Sequence, residues 1–214
     1  MKNHTICLWL KAAIFLLLTT SIFFAIGIYV KWNDYVRAER AYHTLQEKAQ
    51  QNTNQLQETC YAIPDKSRVS EKDFTELKKI NAEIVGWLTC EGTAIDYPVM
   101  HTDNNDFYLK HLYDKEENPS GSLFSDYRNS GLFTDQNTAI YGHNMKDGTM
   151  FRSLNSYKMQ EYYEEHPVLI LYTPNGDYLI ELLSGTLEDG NNEFVRLSFE
   201  SNHDFLAYIN DYIS

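Results

Sequence analysis

His143 is the residue whose surroundings best suit it to do chemistry. It follows a short β-type run, Thr138 to Tyr141, and opens a loop rich in Asn, Asp and Gly, Asn144 to Gly148. A strand that delivers an imidazole to the mouth of such a loop presents a general acid/base from a rigid support. Arg128 is an oxyanion donor by type. Its local motif suits it better to pairing with an acidic neighbour or to a place near the rim of a groove. The three cysteines, Cys7, Cys60 and Cys90, are scattered, with neither paired nor metal-type spacing. A disulfide between Cys60 and Cys90 stays open at this point, whereas a framework of disulfides does not. Cys90 precedes His143 by a long stretch, and the pattern around it reads as a buried or edge-strand cysteine.

Metal and cofactor chemistry is not indicated. His101, His111, His166 and His203 show no HxxxH or HExxH spacing. The run Asp189 to Glu193 lacks the alternating acidic ligands of a calcium loop and reads as a turn. Glu161 to Glu165 reads as a solvated helix face. The formal charge of −12 is carried by residues after Val30, since no Asp or Glu precedes that position. So acidic a domain is poorly suited to nucleic acid or another polyanion.

The elements that must position His143 are mostly strands. Ile84–Leu88, Ala94–Val99, Ser122–Asp126, Thr138–Tyr141, Val168–Thr173 and Tyr178–Leu183 are short β-type runs between turn signals. Pro174-Asn175-Gly176-Asp177 predicts an Asn-Gly hairpin between the last two. Ser70, three residues before Asp73, predicts a capped helix over about 71–81, with Phe74, Leu77 and Ile80 at helical spacing. Helices also fit Asp106–Tyr113 and Met150–Glu165. Ser201 or Asn202 caps a last one that puts Phe205, Tyr208, Ile209 and Tyr212 on one face. The pattern is that of a mainly β fold with peripheral helices, a sandwich or barrel.

Before this domain, Ala12 to Val30 forms nineteen residues without a charge. As a helix they span about 28 Å, close to the hydrocarbon thickness of a bilayer. The run is longer than the apolar core of a typical cleaved signal, although Ala25-Ile26-Gly27 keeps that alternative in view. Basic residues on both sides of the run leave the orientation undecided. Residues 31–69 are polar, with Tyr35, Tyr42, Leu45 and Leu56 too sparse for a wide apolar stripe, and predict a helical stalk or linker. The expected organisation is a short N-terminus (1–11), a membrane segment (12–30), the stalk (31–69) and a domain over 70–214.

Several longer motifs carry a resemblance. Gly86-Trp87-Leu88 is followed by Gly92 to Val99, then Asp103 to Leu109, Gly121 to Asn129, Asn137 to Phe151, and His166-Pro167. In that order they resemble the class B sortases, cysteine transpeptidases of Gram-positive cell walls. The resemblance covers about Asn81 to Tyr212. It implies an eight-stranded sortase-like β-barrel with an N-terminal anchor and, with 1–11 in the cytoplasm, a catalytic domain outside a single-pass cell membrane. It also implies a mechanism. A Cys thiolate attacks the Thr carbonyl of an NPxTx-like sorting signal on a surface protein. A histidine acts as acid and base, and an arginine steadies the oxyanion. An amine of a peptidoglycan stem peptide or a pilin then resolves the thioester.

Here the resemblance gives His143 the histidine role and places Asn105, Leu109 and Tyr141 along the substrate groove. The family's nucleophile follows its histidine, and no cysteine follows Cys90 in these 214 residues. The expectation is a C-terminally shortened barrel lacking its last strands, inactive alone. The alternatives are a non-catalytic module that binds sorting signals, and a decayed remnant.

Overall fold

A computed structural model describes residues 2–59, 72–186 and 195–213. Cys60, Ser70 and the Asp189–Glu193 run lie outside the described residues. Two compact units are present, Met1–Arg40 and Ala41–Ser214. Helix α1, Lys2–Thr59, begins in the first. There, among the described residues, is one helix long and apolar enough to cross a membrane, and Phe15, Leu16, Leu17 and Phe23 lie exposed along it.

The second unit is built on one six-stranded sheet of order β4-β3-β2-β1-β5-β6. The strands are β1 Ile84–Thr89, β2 Asp96–Met100, β3 Leu123–Ser125, β4 Ile140–Tyr141, β5 Val168–Tyr172 and β6 Tyr178–Glu181. All six coincide with runs predicted from alternation and turn residues. Only the β2–β3 pair is parallel. The central strands β1 and β2 are covered on both faces, and Trp87, Val99, Met100, Leu123 and Phe124 form the core with Ile84, Tyr108 and Leu112. Trp87 also donates its indole N–H to Asp96 Oδ1 at 2.6 Å, which satisfies the one polar atom that its burial strands.

Several local expectations are corrected. Helix α2 covers Phe74–Ile80, and its N-cap is Asp73, whose carboxylate accepts from Thr75 N and Glu76 N. The β5–β6 turn is closed by Gly176 N donating to the Thr173 carbonyl, so Pro174 and Asn175 are its central residues and not Asn-Gly. Residues 106–113 form only a 3₁₀ turn, Phe107–Leu109. The Tyr108 and Lys110 carbonyls accept from Ser122 N and Asn118 N, and so cannot propagate a helix. Residues 150–165 split at Met159, which is extended, into a 3₁₀ segment Phe151–Lys158 and a short α3, Gln160–Glu165. Ser153, Asn155 and Ser156 are weak helix formers, and tertiary bonds from Asn155 and Tyr157 decide the local path. The last helix, α4 Asn202–Ile213, starts as expected, with Ser201 Oγ accepting from Asp204 N.

The second unit includes residues 41–59 of α1. Tyr42, Leu45 and Ala49 share one face of α1 and are buried. Tyr42 donates its hydroxyl to the Gly121 carbonyl at 2.6 Å and packs edge-on against Tyr97, while Gln46 Nε2 donates to the Asp96 carbonyl. Burial pushes the Tyr42 phenol far above its ordinary range. The apolar stripe was missed because it is made of one Leu, one Ala and one Tyr.

Candidate functional site

The path of the chain into His143 is fixed by a glycine. A Cβ on Gly142 would stand 2.3 Å from Leu123 Cδ2 and 2.8 Å from Phe151 Cδ2, so a larger residue would force these side chains to shift where β4 leaves the sheet. The loop beyond is closed at its base by Phe151 N donating to the His143 carbonyl at 2.9 Å, and by a bridge between Asn144 and Met150. Met150 is buried with φ 55° and ψ −131°, a conformation that costs a non-glycine residue about 1–3 kcal/mol. Asn144 Oδ1 accepts from Arg152 and Asn155, tying the loop to the 3₁₀ segment that follows.

The imidazole itself is held by a backbone group. His143 Nε2 lies 2.7 Å from the carbonyl oxygen of Leu109. That carbonyl is available because the 3₁₀ turn stops at Leu109 and leaves it without a helical donor. Gly121 lets the returning chain pass close by, since a Cβ there would meet the Tyr108 oxygen at 2.5 Å and the Leu109 oxygen at 2.9 Å. A carbonyl only accepts, so Nε2 carries a proton, and in the neutral ring Nδ1 is the basic nitrogen. A backbone carbonyl thus orients His143 and fixes its tautomer.

Beside it lies a second arrangement centred on Asp126, whose side chain is fully buried. Its Oδ2 accepts from the Tyr141 hydroxyl at 2.8 Å, Asn105 Nδ2 at 3.1 Å and Arg128 at 2.9 Å. Its Oδ1 accepts from Arg128 Nε and the Arg128 backbone N–H, both at 2.9 Å. Asn105 is held at both ends, because its Oδ1 accepts from Tyr127 N. The side-chain bonds from Arg128 outweigh burial and hold the Asp126 carboxyl well below the usual carboxylate range. Burial, then the bond to Asp126, pushes the Tyr141 phenol up to about 12. Arg128 is therefore the partner of an acidic neighbour, one of the two places its motif suggested.

The four residues singled out from sequence thus lie in one neighbourhood: His143 on Leu109, with Tyr141 two residues before His143 and joined to Asn105 through Asp126. Asp126 itself was missed. It stood in a quoted motif, but its partners Asn105 and Tyr141 are far from it in sequence and no local signal links them. Cys90 lies elsewhere. It is a buried free thiol, 3.3 Å from the Tyr157 hydroxyl. Register sets Ile84, Met100, Phe124 and Tyr141 level across the sheet. His143 follows β4 at one edge of the sheet, and Cys90 follows β1, three strands away in the order β4-β3-β2-β1. Among the described residues no cluster of three His, Cys, Asp or Glu suits a metal.

The chain is 38% identical over 137 residues to sortase B of Listeria monocytogenes, and 32% identical over 176 residues to sortase B of Staphylococcus aureus. The second match takes in 82% of this chain and 68% of that protein. The chain belongs to the sortase B family. The Listeria match takes in 64% of this chain and 56% of the Listeria protein, so the chain spans little more than half of that relative's length. Among solved structures, a sortase B–substrate complex from S. aureus superposes with TM-score 0.73 at 31% identity, covering 83% of this chain and 78% of that one. Sortase B of Bacillus anthracis in complex with AAEK1 gives TM-score 0.70 at 30% identity, covering 85% and 81%. The six strands are thus a sortase B-like curled sheet, a half-barrel dressed with helices, where a sortase-like barrel incomplete at its C-terminal end was the expectation. No protein-family model matches the chain.

Proposed function

We propose that this chain carries the histidine and the peptide groove of a sortase B-type transpeptidase, with His143 as its general acid/base. The observation that carries the reading is the 2.7 Å contact between His143 Nε2 and the Leu109 carbonyl, next to Asn105 and Tyr141. With Nε2 committed, Nδ1 takes the proton from an attacking thiol and returns it to the leaving amine after the thiolate adds to the Thr carbonyl. Asn105, Leu109 and Tyr141 line the path of an NPxTx-like sorting signal. The acceptor amine belongs to a peptidoglycan stem peptide or a pilin. Residues 12–30 anchor the protein in the cell membrane, with 1–11 in the cytoplasm and the sheet domain outside.

No described cysteine is placed to attack. Cys90 is buried, bonded to Tyr157 and follows β1, three strands away from β4 and His143. These 214 residues alone are expected to bind the signal without turning it over. The test mixes the full chain in detergent with a fluorogenic NPxTx peptide and hydroxylamine. Binding without thiol-dependent turnover is the expected result. Turnover that disappears in Cys90→Ala would make Cys90 the nucleophile and overturn this assignment.

A further inference from the structure

Asp126 is the most heavily bonded carboxylate described in the domain and its side chain has no solvent contact, yet the proposed chemistry assigns it no step. A buried carboxylate is costly unless every lone pair is used. Here all its partners are donors: Arg128 through Nε, a terminal guanidinium nitrogen and the backbone N–H, Asn105 through Nδ2, and Tyr141 through its hydroxyl. Two of these are the residues that the proposed reading sets along the peptide groove. They come from different elements, the loop before the 3₁₀ turn and strand β4, and they meet only at this carboxylate. Arg128 grips both carboxylate oxygens and leaves the group little freedom to rotate.

We propose that Asp126 is a positioning residue of the groove: it fixes the Asn105 amide and the Tyr141 hydroxyl in one arrangement before the peptide arrives. The inference rests on the groove reading above. Asp126 does not touch the peptide. Its effect is preorganisation, which cuts the cost of ordering side chains on binding. Asn105 and Tyr141 therefore act on affinity as a coupled pair although they share no direct bond.

The experiment measures the affinity of the full chain in detergent for a fluorescein-labelled NPxTx peptide, with the thermal midpoint and the Tyr141 phenol titration by NMR alongside. Asp126→Asn is expected to weaken binding about tenfold in protein that remains folded, and to lower the Tyr141 titration. A folded Asp126→Asn protein with unchanged affinity and a lowered Tyr141 titration would overturn the inference and leave the groove reading standing. No binding by the unsubstituted chain would overturn the groove reading itself, and the inference with it. Should Asp126→Asn fail to fold, the cycle of Asn105→Ala and Tyr141→Phe decides, because it leaves Asp126 in place. Coupling predicts that the double variant loses less than the product of the two single losses. Independent losses overturn the inference.

Discussion

His143 Nε2 sits 2.7 Å from the carbonyl oxygen of Leu109, so the backbone of a 3₁₀ turn fixes the imidazole. In many acid/base sites a carboxylate does this work. A neutral carbonyl orients the ring without adding a full charge to stabilise its cationic form. In the neutral ring the expected tautomer carries its proton on Nε2. Nitrogen NMR of the histidine-labelled chain at alkaline pH should show Nε2 protonated and Nδ1 bare. The opposite tautomer would remove Leu109 from the site.

Gly142 governs the path of the chain into His143. Gly142→Ala forces a Cβ into Leu123 and Phe151 at distances that real contacts do not reach. Overpacking of this kind costs about 1–3 kcal/mol, and here it also displaces the strand end that carries His143. A lower urea midpoint together with weaker peptide binding is the predicted pair of effects. A folded variant of unchanged stability and affinity would contradict the account.

Acid should weaken the domain through Asp126. Its folded carboxyl lies below the ordinary value of about 3.9, so the unfolded chain binds the proton more readily. The stability contributed is complete above that ordinary range and is lost as pH falls below it toward the folded value. Denaturation midpoints followed downward from neutral pH should drop in this window, and drop less in Asp126→Asn.

Tyr42 tests where the domain begins. Tyr42→Phe removes a buried hydroxyl from the Gly121 carbonyl and from Ser122, leaving an acceptor less well satisfied. The expected cost is about 1–3 kcal/mol, read as a lower midpoint in chemical denaturation. An unchanged midpoint would return residues 41–49 to the status of a stalk.

Cys90 should be chemically silent in the folded protein. Its buried thiol lies against Tyr157 and the Val168 carbonyl. Alkylation resolved by site in a mass spectrum should leave Cys90 unmodified until denaturant is added. Rapid labelling in the native state would contradict its placement.

What could be read from the sequence divides along the range of the forces involved. The strands were legible because alternation and turn residues are local, and β1 to β6 fall where those signals place them. His143 was legible because its motif is contiguous. The helix predicted over 106–113 failed because the Tyr108 and Lys110 carbonyls bond to a segment that returns about ten residues later. Asp126 escaped for the same reason, since Asn105 and Tyr141 come to it from either side in sequence. The stripe of Tyr42, Leu45 and Ala49 was hidden by its composition, as Ala and Tyr carry little weight in an apolar pattern.

The most direct test of the central claim is a peptide titration followed by NMR. The full chain in detergent micelles, with amide and histidine signals assigned, is titrated with an unlabelled NPxTx peptide and with its scrambled counterpart. The account predicts shifts concentrated on Asn105, Leu109, Tyr141 and His143 for the ordered peptide alone. Shifts that avoid these residues, or that the scrambled peptide produces equally, would show that they do not form a sorting-signal groove.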